Sequence, residues 1–158
     1  TQVVATLAEH PRINATFEGD GVRVYDRVDL GVAVDTPLGL AVPVIDDAGS
    51  LTEAELGDRL RHLADAARAH RLAPHEASGA TFTVTNHGRF GTDDGYPIIN
   101  PPGAAILAVG RLALRPMVVD GVVVAQLTVP LTLVFDHRVI DGADAAHFLT
   151  ALAARLTR

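Results

Sequence analysis

The segment LVFDHRVIDGADAAHFL, residues 133–149, carries an apolar run into Asp136, His137 and Arg138 and then places Asp141 ahead of a helix-like stretch. A neutral imidazole at the end of a buried strand can remove a proton near pH 7. Asp141 has two readings. It caps the following helix, or it binds an arginine and holds the loop that aims His137. On pattern alone the plainer pair, a structural histidine beside a helix cap, is the commoner outcome. A metal site built from His137, Asp141 and His147 has no familiar ligand spacing.

A second set of candidates lies upstream. Thr83 and Thr85 fall on one face of a strand over 81–85, where threonines are ordinary occupants of a pleat. NHGRFG and NPPG read as turns, and His87 is the only other histidine in a Gly-rich loop. His10, His62, His70 and His75 fall on polar surfaces or turns. There is no G-x-S-x-G or Walker motif, and GRFG alone is a weak phosphate signal.

The composition narrows the chemistry. A chain of 158 residues suits one domain, and 48% apolar residues is more than a small monomer needs, so subunit contacts are expected. The formal net charge of −6 comes without a basic stripe, so nucleic acid is an unexpected partner. Apolar runs stop well short of a bilayer span, so no membrane is expected, and a cytoplasmic location fits. There is no Cys and no Lys; all 13 basic residues are Arg. A cysteine nucleophile, a Schiff-base or P-loop lysine, and a lysine carrying lipoate on this chain are therefore excluded.

The elements that must hold these residues can be read from periodicity. Residues 2–9 form a helix stopped by Pro11. Strands are expected at 22–28, 30–35 and 39–45, the last two flanking the turn TPLG. Ser50 and Glu53 make a capping box before an amphipathic helix marked by Leu56, Leu60, Leu63 and Ala67. A strand over 79–88 leads into the Gly-rich loop, and 100–112 is a Pro-Pro entry to a buried strand. A hairpin at 117–126 turns on Asp120-Gly121. A long strand at 127–135 contains Pro130, which suits an edge or a bulge. The chain closes with a helix over 142–156, with Leu149, Leu152 and Leu156 on one side. The expected class is α/β, a two-layer mixed sheet with packed helices.

DHRVIDG resembles the signature of the acyltransferase (E2) components of 2-oxo acid dehydrogenase complexes, whose fold is that of chloramphenicol acetyltransferase. HPRINATF, LGVAVDTPLGLAVPVI, GATFTVTNHGRFG, PIINPPGAAILAVGRL and VPLTLVFDHRVIDGADAAHFL are all similar to that family, in its order. The resemblance runs from about His10 to Leu156. It implies transfer of an acyl group between a lipoyl thioester and coenzyme A, with the lipoyl group on a separate domain and no metal. His137 would be the general base on the coenzyme A thiol, and Thr85 would donate to the oxyanion. Asp35, Thr85, Asn86 and Gly110 match coenzyme A contacts.

The same resemblance implies a homotrimer with the site across its interface. Trimers would build a cubic or dodecahedral core, with E1 and E3 held through other domains. It further implies that the whole chain, 1–158, is the catalytic domain without its first helix and strand, a portion that supplies an arginine for the aspartate matching Asp141. Within the family, the 88–107 stretch looks more like bacterial branched-chain sequences than like succinyl-transferring ones, with the acetyl class next. A non-catalytic assembly core and a free-standing acyltransferase for a small hydroxyl acceptor are the competing readings.

Overall fold

The computed structural model describes residues 1–157. Three helices form where the periodicity demands them. α1 (Gln2–Glu9) ends at a 3₁₀ turn, Pro11–Ile13, because Pro11 cannot continue the helical hydrogen bonds. α2 (Glu53–Arg68) is capped by Thr52 with Glu55, not by Ser50 with Glu53 as expected. Thr52 Oγ1 accepts from the Glu55 N–H, and the Glu55 carboxylate accepts from the Thr52 N–H at 2.8 Å. Ser50 is held in the preceding 3₁₀ turn, and Leu51 is extended, so the helix starts later than the Ser50 box requires. α3 (Gly142–Leu156) is capped by Asp141 and buries Ala145, Phe148 and Leu152; Leu149 is half-buried, while Leu156 is exposed and does not extend the buried stripe.

The central sheet has five strands, β3 (Leu30–Val32), β6 (Val44–Ile45), β7 (Phe82–Asn86), β8 (Ala105–Val109) and β11 (Leu131–Phe135), in the order β11-β8-β7-β3-β6. The pairs β3/β7 and β7/β8 are parallel, and the two outer pairs are antiparallel. Three hairpins stand apart from it: β1 (Ala15–Glu18) with β2 (Gly21–Val24), β4 (Val34–Thr36) with β5 (Gly39–Ala41), and β9 (Ala113–Val119) with β10 (Val122–Thr128).

Several expected strands are shorter than read. The 30–35 and 39–45 strands each break in two. Pro43 has no N–H for the ladder, and the chain leaves the sheet at Ala33 to make the β4/β5 hairpin. The 127–135 strand divides at Val129 and Pro130; Pro130 still accepts from the Gly110 N–H at 2.9 Å, but it ends pairing with the hairpin. The 22–28 strand ends at Val24. Its partner β1 was not anticipated, although Gly19, at φ 59°, supplies the left-handed turn residue between them.

Alternation gives the sheet two different faces. Leu30, Phe82, Ala105 and Leu107 share one core with Leu7, Leu63, Phe148 and Leu152 from the three helices. The odd neighbours Thr83 and Thr85, with Ile106, point the other way, into an uncovered pocket. Helices on one face and an open pocket on the other make the two-layer α/β arrangement that the sequence predicts.

Candidate functional site

His137 sits on an exposed turn at the end of β11. The turn is pinned at both ends. The Asp136 N–H donates to Ala104 O at 2.8 Å, and the Val139 and Ile140 N–H groups both donate to Asp136 O at 3.0 Å. Val139 and Ile140 are buried, so the residues just after His137 are plugged into the core. The imidazole lies tilted against Phe135, with ring centroids 5.6 Å apart. Arg138 forks onto Asp136, with Nη2 to Oδ2 at 2.6 Å, and lies over the Phe17 ring at 4.2 Å. Those Arg138 hydrogen bonds hold the Asp136 carboxyl below the usual carboxylate range.

Asp141 is a helix cap: its Oδ1 accepts from the Asp144 N–H at 2.9 Å. The Asp144 and Ala143 N–H groups hold its carboxyl below the ordinary value, and the charges of Arg12 and His137 act in the same direction. Arg138 does not serve as its partner, because Asp136 takes that guanidinium. The arginine nearest this corner is Arg12, which pairs with Asp144 at 3.3 Å.

Thr85 lines a pocket of about 570 Å³ on the open face, with Thr83, His87, Asn100 and Ile106 beside it and Leu40, Tyr96 and Ile98 at its rim. Thr83 is buried, and Asn100 Nδ2 approaches its hydroxyl at 3.5 Å. Gly31 makes this possible, since a Cβ there would lie 2.9 Å from Thr83 Oγ1. Thr85 is half-buried, which leaves it the more accessible hydroxyl.

The four expected coenzyme A residues fall around this end of the sheet. Asn86 ends β7, opposite Val109, and its Oδ1 accepts from the Arg89 N–H at 3.3 Å. Gly110 follows β8 against the 88–95 loop; a Cβ there would sit 2.0 Å from Asp93 O. Asp35 is exposed on the β4/β5 hairpin, paired with the pocket residue Leu40.

His137 and Thr85 are not brought together within one chain. Thr85 pairs with Ala108, which pairs with Thr132, and His137 lies beyond the far end of β11 from that row. Two strand spacings and five residues of rise separate them by roughly 15–20 Å. His147 does not join them in a metal site: no group of three His, Cys, Asp or Glu side chains that could hold a metal occurs among the described residues.

Sequence reasoning missed the residues that brace the site. Asp93 accepts from Arg111 at 2.9 and 3.2 Å and from Arg115 at 2.9 Å, tying the loop above the pocket to the β9/β10 hairpin. Arg12, far away in sequence, reaches the His137 turn. Neither has a local pattern, because each contact depends on tertiary approach.

A profile of the family described as 2-oxoacid dehydrogenases acyltransferase (catalytic domain) matches residues 1–158. The chain is 42% identical to the dihydrolipoyllysine-residue acetyltransferase component of the pyruvate dehydrogenase complex of Corynebacterium glutamicum, over 98% of this chain and 24% of that one. It is 39% identical to the succinyltransferase component of the 2-oxoglutarate dehydrogenase complex of Haemophilus influenzae, over 95% and 37%. Among solved structures, a probable dihydrolipoamide acetyltransferase of Listeria monocytogenes superposes with a TM-score of 0.92 at 35% identity, covering 97% of this chain and 65% of that one. The cubic core of a pyruvate dehydrogenase multienzyme complex gives 0.89 at 37%, covering 96% and 63%. A chloramphenicol acetyltransferase, at 16% identity and a TM-score of 0.53 over 96% and 72%, shares the fold. The chain thus spans about a quarter to two-thirds of the length of the acyltransferase relatives it matches.

Proposed function

Because the chain belongs to the 2-oxoacid dehydrogenase acyltransferase catalytic-domain family, we propose that it transfers an acyl group between a lipoyl thioester and coenzyme A. The lipoyl group rides on a separate domain. His137 takes the proton from the coenzyme A thiol, and the thiolate attacks the thioester carbon. Thr85 donates to the carbonyl oxygen as it gains charge, an interaction worth about 2.7–4 kcal/mol in comparable sites. When the carbon–sulfur bond to the dihydrolipoyl group breaks, His137 returns the proton to the departing sulfur. Atoms balance without a covalent enzyme intermediate, which accords with a chain that has no Cys.

The observation that carries this reading is the pairing of an exposed His137 turn with a Thr85 hydroxyl facing an open pocket, at opposite ends of one sheet. A single chain cannot use both on one substrate. A second copy can, and the surface supports one. The β9/β10 hairpin pairs with no other strand among the described residues, and Val118 and Val123 are 70% and 68% exposed. An isolated two-stranded hairpin is marginal in water, and an apolar one is an association surface. The site then forms between neighbours in a homotrimer, and trimers build a larger core that recruits E1 and E3 through other domains. In this reading Asp35, Asn86 and Gly110 contact coenzyme A, and Asp141 caps the start of α3 after the His137 turn. No described helix is long and apolar enough to cross a membrane, which is compatible with a cytoplasmic complex.

For the acyl group, the pocket wall supports a short uncharged one. Ala33, Leu40, Val42, Ile98, Ile99 and Ile106 line it, Asp94 is its only carboxylate, and it has no Arg. A succinyl carboxylate would find no guanidinium in this chain's share of the lining, where His87 is the one basic side chain. Branched-chain acyl groups, favoured by the 88–107 motif, and acetyl, favoured by the pyruvate-complex relatives, both suit such a wall. The test is transfer from isobutyryl-, acetyl- and succinyl-dihydrolipoamide to coenzyme A by the full-length protein. Turnover with an uncharged donor supports the reading; turnover with none overturns it, and a succinyl preference overturns the acyl assignment.

A further inference from the structure

The His137 turn has a brace that the transfer chemistry above does not use. Arg12 lies in the 3₁₀ turn after α1, 127 positions before Val139, yet its Nη2 donates to Val139 O at 3.1 Å. The same guanidinium faces Asp144 in the first turn of α3, with Nε to Oδ2 at 3.3 Å. That Asp144 oxygen is buried and has no hydrogen bond, so the Arg12 charge is what compensates it. One planar group therefore spans the end of the His137 turn and the beginning of α3.

The other fastenings of the turn do not involve the Val139 carbonyl. The Asp136 N–H is bound to β8, the Arg138–Asp136 fork closes the front, and the Val139 side chain is buried. The carbonyl of Val139 is held from the 3₁₀ turn between α1 and β1, where Arg12 is its donor. A rotation of that peptide swings the backbone two residues back, at His137. We propose that Arg12 is a positioning residue that fixes the Val139 peptide against α3 and thereby sets the direction of the His137 imidazole. It touches no reacting atom and acts through His137, so the proposal rests on the acyl-transfer reading. Lysine replaces it poorly, because an ammonium is a point charge while the guanidinium fork meets two oxygens at once.

The test uses the full-length protein with Arg12→Met, Arg12→Lys, His137→Ala and the double variant His137→Ala/Arg12→Met. Arg12→Met is expected to lower kcat on the order of 10–10²-fold, the scale of a small misplacement of a catalytic group, with KM for coenzyme A unchanged. Arg12→Lys should recover part of that loss. In the His137→Ala background, Arg12→Met should cost nothing further, because a residue acting through His137 has nothing left to position. A crystal structure of Arg12→Met should show the imidazole displaced from its wild-type rotamer. An unchanged kcat, an equal loss in both backgrounds, or an unmoved imidazole would each overturn the proposal. If the wild type transfers no acyl group, the functional reading fails, while the imidazole position still decides the role of Arg12.

Discussion

At the scale of single residues, His137 and Thr85 make different demands. His137→Ala is expected to leave only a small residual rate of transfer while keeping the thermal melt near wild type, since the side chain is exposed on its turn. Wild-type turnover in that variant would remove the general base from the account. Thr85→Ala should lose about 10²–10³ in kcat, the usual cost of one oxyanion donor, and Thr85→Ser should keep most activity. Equal damage from both would make Thr85 a packing residue. Asp141 brings a pH dependence. Its carboxyl is depressed in the folded chain, chiefly by the Asp144 N–H. A depressed carboxyl contributes fully above its unfolded pKa of about 3.9, and the contribution fades as pH falls through the folded value. Melts of Asp141→Asn and wild type should therefore differ above pH 4 and converge below it; a gap that persists at low pH would give Asp141 a role other than the charged cap.

At the scale of elements, what was legible followed local physics. The Asp120-Gly121 turn and a buried strand within 100–112 depend on neighbours in sequence and form as expected, and of the two readings of Asp141 the structure shows the helix cap. The capping box was misassigned because Ser50–Glu53 and Thr52–Glu55 overlap in the same spacing. Only the preceding Asp47–Leu51 turn, with Asp47 left-handed at φ 43°, decides between them. Thr52→Ala is accordingly expected to cost about 0.5–2 kcal/mol in a denaturant melt, and Ser50→Ala much less. The reverse order would restore the Ser50 box. Strand lengths were overread wherever a proline stops the ladder, at Pro43 and Pro130. The pocket face was half legible: the Thr83/Thr85 alternation is in the sequence, but the Asp93 clamp and the Gly88–Gly110 approach, where a Cβ would come within 2.2 Å, arise only from packing.

At the scale of the whole molecule, one sheet keeps the two groups proposed for the chemistry apart. β11 delivers His137 at one end, and β7 offers Thr85 toward the other, with the helices sealing the face between α1 and α3. The account therefore makes activity a property of neighbouring subunits. Val118→Glu with Val123→Glu, on the unpartnered hairpin, is expected to break the oligomer in sedimentation and to remove transfer together with it; active monomers would contradict that. The most direct measurement mixes subunits. His137→Ala and Thr85→Ala proteins, each nearly inactive alone, are unfolded, combined in equal amounts and refolded together. If every site takes its histidine from one subunit and its threonine from the next, about a quarter of the sites in a random mixture hold both intact groups, and transfer recovers to that level. A mixture no more active than its two parents would contradict a site shared between subunits.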